Sequence, residues 1–158
     1  MRLKDKVTLI TGAGSGIGKC TALLFAREGA SVIVADVQET SGRETVDEIR
    51  AAGGTAEFIQ VDVTDPQSVQ AMVEEALRLF GRIDVLFNNA GISGVGVLHE
   101  VEPEAWDRVI AVNVRGVYLV SKYVIPHMME RKQGNIINMA SCIAEIGLAR
   151  RASYAASK

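Results

Sequence analysis

Short apolar segments alternate with longer amphipathic segments along the whole chain. Five of the apolar segments are rich in Val, Ile, Leu and Phe and bounded by turn residues, as buried strands are, and they occupy 7–10, 31–35, 58–61, 83–87 and 136–139. Between them the apolar residues recur at helical spacing, most clearly at Val69, Met72, Val73, Ala76, Leu77 and Phe80. Most of these strands are apolar on both faces, which is typical of a parallel sheet covered by helices on both sides.

Glycine, proline and aspartate mark where several helices begin and end. A helix over 40–52 is stopped by the pair Gly53 and Gly54. Asp65 caps the next helix, with Pro66 at its first position, and Gly81 closes it. Strict alternation of strands and helices with right-handed crossovers predicts an α/β fold with a doubly wound, Rossmann-like sheet of strand order 3-2-1-4-5.

Each predicted strand is followed closely by a glycine or a polar residue. In a doubly wound sheet the ligand crevice lies at the carboxyl ends of the strands, so these residues should line one site. They are Gly12, Asp36, Asp62, Asn89 and Ser141. Residues 1–158 show no repeat and no interdomain linker, and we interpret them as a single dinucleotide-binding and catalytic domain.

The glycine-rich segment 11–18 lies between the first strand and the first helix. Its pattern is G-x-x-x-G-x-G, formed by Gly12, Gly16 and Gly18. Backbone N–H groups and the positive end of a helix dipole can bind a dinucleotide pyrophosphate there, and glycine allows both the close approach and the unusual turn dihedrals. A glycine loop alone is weak evidence, because many are only turns.

Asp36 at the end of the second strand indicates which dinucleotide is bound. It follows Gly18 by about one helix and one strand, where a carboxylate can accept the ribose hydroxyls of adenosine. The same carboxylate would repel the 2′-phosphate of NADP, and neither Ser15 nor Val37 supplies a cation to reverse that preference. Taken alone, Asp36 would be read as a cap or turn residue; with the glycine loop it favours NAD.

Composition excludes several other functions. The chain is 48% hydrophobic and 23% charged with a formal net charge of −2, and its basic residues are scattered, so no nucleic-acid partner is expected. No apolar run in the sequence approaches a membrane span, and residues 1–6 do not resemble a secretory signal. Two cysteines and two isolated histidines predict neither a disulfide framework nor a metal site, and a reducing cytoplasm is the expected location.

Taken together, the motifs resemble those of the short-chain dehydrogenase/reductase family over the whole chain. Residues 11–18 resemble its T-G-x-x-x-G-x-G cofactor loop, and 88–91 resemble its N-N-A-G turn. Tyr154 and Lys158 form an intact Y-x-x-x-K motif. The extended branch of the family would need glycine at position 15, where this chain has Ser15.

The resemblance implies an NAD(H)-dependent oxidoreductase that acts on a secondary alcohol or ketone, with a homotetramer or dimer as its assembly. It implies a catalytic tetrad of Asn113, Ser141, Tyr154 and Lys158. The cofactor-binding residues that it implies are Gly12, Ser15, Gly16, Ile17, Gly18, Asp36, Asp62, Val63, Asn89, Ala90, Gly91, Tyr154 and Lys158. In this scheme Asn113 fixes a water that relays the proton outward, and Lys158 also holds the nicotinamide ribose.

The chemistry of Tyr154 and Lys158 can be argued independently of the family. They are four residues apart, so on a helix they share a face. Removing hydride from an alcohol requires a base for the hydroxyl proton, and a free phenol, with a pKa of about 10, is a poor one near neutral pH. One cation at about 4 Å, at an effective dielectric near 20, supplies roughly 4 kcal/mol toward the phenolate. Tyr154 is therefore the candidate acid/base, Lys158 its tuning cation, and Ser141 the donor that holds the substrate oxygen.

Several alternatives stay open at this point. A nucleotide-sensing or scaffold protein could keep the same loop without catalysis, although it should then have lost Tyr154, Lys158 or Ser141. Cys142 has no histidine close in sequence to activate it as a nucleophile. The pair at 150–151 could either reach an acidic substrate or be solvated, and residues 92–101 should form a mobile wall of the pocket.

Lys158, the last residue of the Y-x-x-x-K motif, is also the last residue of the sequence. The family normally continues beyond this point, so we expect these residues to be the C-terminally incomplete part of a longer protein, and the fragment alone to be inactive. A helical stub from Ser153 to Lys158 should not hold its geometry unaided. The fifth strand should be an apolar edge.

Overall fold

The computed structural model describes residues 1–158 and contains one five-stranded parallel sheet. The strands are β1 (Val7–Thr11), β2 (Ser31–Asp36), β3 (Thr55–Gln60), β4 (Val85–Asn88) and β5 (Asn135–Asn138). Their order across the sheet is β3-β2-β1-β4-β5, and every pair is parallel. The predicted fold and strand order are confirmed.

Helices connect the strands and cover both faces of the sheet. They are α1 (Gly16–Arg27), α2 (Glu39–Ala51), α3 (Pro66–Phe80), α4 (Pro103–Ile110), α5 (Gly116–Arg131) and α6 (Ala152–Ser157). Leu9 and Ile33 face a core completed by α3 and α5, whereas Ile10 and Val34 face a second core completed by α1 and α2. Alternate residues of one strand therefore serve opposite cores, which is why the strands are apolar throughout.

The predicted helix ends were largely right, and some strand ends were not. Asp65 accepts hydrogen bonds from the Gln67 and Ser68 amides, Pro66 opens α3, and Gly81 ends it in the left-handed conformation. However, β3 begins at Thr55 instead of residue 58, and β4 begins two residues later than position 83. The first discrepancy arises because Ala56 is buried although its neighbours are polar, so the apolar pattern starts later than the pairing with β2.

The segment Pro103–Arg131 corrects the statement that no run approaches the length of a membrane span. It is helical over 29 residues and contains a window with a mean hydropathy of 1.2, so its length and composition would allow it to cross a membrane. In the fold, Leu119, Val120 and Val124 of this segment are buried in the core against the sheet. Packing in the core accounts for part of its apolar character, since 33% of that window is buried.

Helix α6 forms near the last residues, where a helix was not expected to hold its geometry unaided. A short isolated helix is unstable, but α6 is tied to the fold at both ends. At its start Arg151 bridges to Gly96, and at its end Asn113 Nδ2 donates to Ser157 Oγ at 2.8 Å and Lys158 Nζ donates to the Met139 carbonyl at 2.9 Å. These tertiary bonds replace the missing helical length.

Asp84 joins three elements at the opposite edge of the sheet from the strand carboxyl ends. This carboxylate is only 7% exposed; it accepts a hydrogen bond from the Val7 amide at 2.9 Å and ion-pairs with Arg82 at 3.0 Å and with Arg131 at 3.1 Å. Burial acts to raise the pKa of Asp84, but the Val7 amide and the two guanidinium groups outweigh it and hold the pKa below its ordinary value. Asp84 therefore fixes the starts of β1 and β4 to the end of α5.

This arrangement predicts an acid-dependent loss of stability. Because the folded-state pKa of Asp84 lies below its unfolded value, its contribution is present above about pH 4 and is lost as the pH falls through the folded-state pKa. Asp84→Asn should lower the free energy of unfolding by about 1–3 kcal/mol at pH 7 and by much less near pH 3. Urea unfolding at several pH values measures this difference.

Glu75→Gln is the matched control, since Glu75 is an exposed carboxylate paired with Arg78 within α3. The same acid-to-amide change there should have little effect on unfolding at either pH, because exposed ion pairs contribute little. If Asp84→Asn and Glu75→Gln behave alike at pH 7, the proposed clamp is wrong.

Candidate active site

A cleft of about 900 Å³ lies at the carboxyl ends of the strands. Residues following all five strands contribute to its wall. Of the residues predicted from the sequence, those that line it are Gly12, Ser15, Gly16, Ile17, Asp36, Asp62, Val63, Asn89, Ala90, Gly91, Ser141, Tyr154 and Lys158. Gly18 and Asn113 lie behind the wall and act on it indirectly.

The three motif glycines have different structural roles. Gly12 has φ +66°, and a Cβ built there would lie 2.9 Å from the Ala90 Cα. A Cβ on Gly18 would lie 2.1 Å from the Gly12 carbonyl oxygen, which no side chain could tolerate. Gly16 also has a positive φ, +51°, but nothing lies within 4 Å of its Cβ position. Gly12 and Gly18 thus let the loop pack on the protein itself, and only Gly16 leaves open space.

Thr11 and Asn89 join the glycine loop to the turn after β4. The Thr11 hydroxyl oxygen accepts hydrogen bonds from the Asn89 and Ala90 amides, both at 3.1 Å. In return, Asn89 Nδ2 donates to the Thr11 carbonyl at 3.0 Å and to the Gly12 carbonyl at 3.1 Å. This four-bond clamp holds two walls of the cleft at a fixed separation.

Asp36 is held in one orientation at the tip of β2. Its Oδ2 accepts from the Gly14 amide at 2.8 Å, and its Oδ1 accepts from the Gln38 amide at 3.0 Å. A carboxylate oxygen can accept more than one hydrogen bond, so both oxygens keep capacity for a ligand. Asp36 is a negative charge already positioned in the cleft.

Gly14 is a part of the site that the sequence reasoning missed. A Cβ there would lie 2.6 Å from Ser41 Oγ and 2.9 Å from Asp36 Oδ2, so a larger residue would displace the carboxylate that the Gly14 amide orients or the Ser41 side chain beside it. The motif spacing gives no sign of this, because Gly14 falls at an unspecified position of the pattern.

Asp62 and Val63 follow β3 on the far side of the cleft. Asp62 is exposed, and its Oδ1 accepts from the Thr64 amide at 2.8 Å and from the Thr64 hydroxyl at 2.7 Å. Val63 is buried, and a Cβ on Gly116 of α5 would lie 2.9 Å from its Cγ2. The turn after β3 is thus fixed both by its own bonds and by α5.

Asn113 lies in a π-helical turn, Ala111–Arg115, between α4 and α5. Its side chain is 4% exposed; Oδ1 accepts from the Ile92 amide at 2.8 Å, and Nδ2 donates to the Ile92 carbonyl at 2.9 Å and to Ser157 Oγ at 2.8 Å. Both amide hydrogens are therefore used within the protein. In the structure the Asn113 side chain fixes the segment after β4 to α6. Its expected role of fixing a water stays a prediction.

Tyr154 and Lys158 share one side of α6, as their spacing predicts. The Lys158 ammonium lies 5.9 Å from the centroid of the Tyr154 ring. Burial holds the pKa of Lys158 below its ordinary value. A Cβ on Gly91 would lie 3.6 Å from Lys158 Nζ and 3.3 Å from Asn113 Oδ1, so the turn after β4 packs closely against this pair.

Ser141 stands just past β5 and faces the same cleft. Its Oγ accepts a hydrogen bond from the Ile143 amide at 3.3 Å and begins the short turn Cys142–Ala144. Cys142 is exposed. Ile92, Ser93 and Arg151 also line the cleft and belong to segments that were expected near the pocket. The remaining wall residues follow no motif in the sequence; they are Val37, Val61, Thr64, Arg108, Ala111, Val112, Met139, Ile143 and Leu148.

Comparison with known proteins identifies the class to which this fold and cleft belong. A family model described as short chain dehydrogenase matches residues 6–158. The chain therefore belongs to the short-chain dehydrogenase family, and the resemblance drawn from its motifs is confirmed.

Individual relatives show how much of such proteins the chain covers. It is 44% identical over its whole length to a 3-oxoacyl-[acyl-carrier-protein] reductase of Thermotoga maritima, spanning 64% of that protein. Over 99% of its length it is 42% identical to a cyclohexanol dehydrogenase of an Acinetobacter species, spanning 63% of it. The chain thus spans less than two thirds of the length of these relatives.

A solved structure of the same family matches the fold closely. It is a short chain dehydrogenase/reductase from Burkholderia phymatum in complex with NAD, with a TM-score of 0.96 and 37% sequence identity. The match covers 99% of this chain and 56% of that one.

Proposed function

We propose that the protein is an NAD(H)-dependent oxidoreductase that transfers hydride between the nicotinamide and a secondary alcohol or ketone. The observation that carries the proposal is that one cleft is lined both by the glycine loop with Asp36 and by Ser141, Tyr154 and Lys158. The relatives supply independent support, since those compared above are reductases or dehydrogenases. The domain 1–158 would supply the cofactor site and the catalytic residues.

The cleft has groups that fit two parts of the cofactor, the charged pyrophosphate and the adenosine ribose. For the pyrophosphate, α1 begins at Gly16 and is 12 residues long, and the space at the Gly16 Cβ position is open. For the adenosine ribose, Asp36 offers two oriented carboxylate oxygens. We assign the pyrophosphate to the segment 12–18, the ribose to Asp36, and the adenine and nicotinamide walls to Asp62, Val63, Asn89, Ala90 and Gly91.

When bound, NAD supplies the hydride acceptor or donor, and the chain supplies everything that concerns the proton and the substrate oxygen. Tyr154 Oη takes the hydroxyl proton in oxidation and returns it in reduction. Lys158 places its ammonium 5.9 Å from the Tyr154 ring centroid and is available to the nicotinamide ribose, while Ser141 holds the substrate oxygen.

We place Asn113 in this scheme as a positioning residue. Since its amide hydrogens are bonded to Ile92 and Ser157, it fixes α6, which carries Tyr154 and Lys158, against the turn after β4. Any water that relays the proton outward would then have to use another acceptor or the remaining lone pair of Asn113 Oδ1.

The alternative is a protein of the same fold that binds the nucleotide without catalysis. It differs from the main proposal in one measurable respect, because it would bind NADH and turn over no alcohol in a broad panel. The presence of Ser141, Tyr154 and Lys158 in one cleft argues against it.

The assembly is proposed as a homotetramer or dimer, and the location as cytoplasmic. Val120, Val124 and Met128 of α5 are buried within the chain, so their face of the helix is not available to another subunit. The opposite face of the α5 region instead exposes Val114, Tyr118, Ile125 and Met129, and this face is the better candidate for contact with another subunit.

Asp36 should determine the choice of cofactor. Asp36→Ala should weaken NADH binding by about 10- to 100-fold, because the ribose hydroxyls lose a charged hydrogen-bond acceptor. It should also lower the ratio of the NADPH dissociation constant to that of NADH. Fluorescence titration of the whole protein with each nucleotide measures both effects. Asp47→Ala, the same change on an exposed position of α2, should alter neither, and wild-type binding of NADPH at least as tight as that of NADH would refute the assignment.

Tyr154 and Lys158 should be separable by two readouts. Tyr154→Phe removes only the hydroxyl, so turnover should fall by about 10²- to 10⁴-fold while NADH affinity is kept. Lys158→Met should lower turnover further and should also weaken NADH binding, because it removes the cation both from Tyr154 and from the nicotinamide ribose. Initial rates and nucleotide titrations on the whole protein test this, with Tyr123→Phe as the control, since Tyr123 packs against the core and does not line the cleft. Unchanged turnover in Tyr154→Phe would contradict the proposed chemistry.

A further inference from the structure

Charged side chains divide the cleft into an acidic end and a basic end. Its carboxylates are Asp36 and Asp62, which follow β2 and β3 on one side of the sheet. Two arginines line the opposite side of the cleft. Arg151 lies at the start of α6 and forms a β-bridge with Gly96 in the segment after β4, and Arg108 lies on α4, which packs against α6. The two ends therefore suit groups of different charge.

Arg151 has no carboxylate partner. Its Nη1 donates to the Ser93 hydroxyl, which is its one side-chain hydrogen bond within the protein, and it forms no salt bridge. A guanidinium carries five N–H donors in a planar fork, so four remain for a ligand or water. The two cleft carboxylates are engaged elsewhere, Asp36 with the Gly14 and Gln38 amides and Asp62 with Thr64.

Arg151 is held in place close to Tyr154 in the chain. Its carbonyl accepts from the Ala155 amide at 2.8 Å, so Tyr154 lies within the helical turn that Arg151 begins. The bridge to Gly96 and the bond to Ser93 fix it from the other side. Around it, Ile92, Ile143 and Leu148 supply apolar wall.

We infer that the substrate carries a carboxylate on an apolar carbon skeleton, and that Arg151 binds this carboxylate while the carbinol or carbonyl carbon lies at Tyr154. The inference rests on the proposed oxidoreductase function and adds the substrate class, a hydroxy acid and its oxo acid. The planar guanidinium fork can pair with a carboxylate through two parallel N–H···O bonds, and the phosphate ester arm of the test below decides between a carboxylate and a phosphate. No new chemical step is required, because Arg151 recognises a group that does not react.

The test compares matched substrates on the whole protein with NAD. Each hydroxy acid is assayed beside its neutral primary amide: 3-hydroxybutanoate with 3-hydroxybutanamide, and 4-hydroxycyclohexanecarboxylate with 4-hydroxycyclohexanecarboxamide. At least one acid should be oxidised with a kcat/KM about 10- to 100-fold above that of its amide, through a lower KM. The phosphate monoester of 1,3-butanediol, with the secondary hydroxyl free, is a third arm.

Two variants separate recognition from structure. Arg151→Gln should remove the preference for the acid while changing amide turnover by less than about threefold, and Arg151→Lys should restore part of it. Arg150→Gln is the matched control, since Arg150 is the adjacent arginine but does not line the cleft. Binding of the unreactive cyclohexanecarboxylate, followed calorimetrically, should weaken in Arg151→Gln and not in Arg150→Gln.

The outcomes are distinguishable. Equal use of acid and amide, an acid preference that survives in Arg151→Gln, or a higher kcat/KM for the phosphate ester would overturn this inference and leave the oxidoreductase proposal standing. NADH binding without turnover of any acid, amide or ester would count against the oxidoreductase proposal, and this inference would fall with it.

Discussion

The close approach of two loops at the carboxyl ends of β1 and β4 is the constraint on which the site depends. Four hydrogen bonds cross this junction, with Asn89 and Ala90 as donors and Thr11 and Gly12 as acceptors. Gly12 and Gly18 make the junction possible, because a side chain at either would collide with backbone. Polar groups buried in this way cost free energy unless every donor finds an acceptor, so the junction can form in only a few arrangements. Its rigidity sets the position of the cleft walls on either side.

From this junction the cleft extends in both directions along the sheet edge. Toward β2, the Gly14 amide orients Asp36. Toward β5, the turn after β4 is bonded through Ile92 to Asn113, and Asn113 is bonded to α6. The charge distribution follows the same order, with carboxylates toward β3 and cations toward α6. A dinucleotide laid along the edge would have its adenosine at the acidic end and its reactive ring near Tyr154 and Lys158.

The sequence predicted the fold and most of the wall, and it missed contacts between distant residues. Strand order and helix caps follow from local pattern and turn chemistry, as at Asp65 and Gly81. The hydrogen bond between Thr11 and Asn89 joins residues that are 78 apart in the sequence. The role of Gly14 depends on the position of the Asp36 carboxylate in the fold. The periodicity of the sequence predicts neither contact. The π turn that contains Asn113 has no counterpart in the apolar spacing of the sequence. A helix as short as α6 depends on tertiary bonds such as that from Lys158 to the Met139 carbonyl, which the sequence pattern does not show.

The most direct test of this account is the affinity of the protein for NADH after removal of one hydroxyl from the junction. Thr11→Val keeps the side-chain shape and leaves the Asn89 and Ala90 amides without their acceptor. Thr8→Val makes the same change at the other end of β1, where the buried hydroxyl makes only a 3.4 Å bond to the Ser31 carbonyl. Fluorescence titration should show NADH binding about tenfold weaker in Thr11→Val and unchanged within about twofold in Thr8→Val. Equal affinity of Thr11→Val and the wild-type protein for NADH would contradict the account.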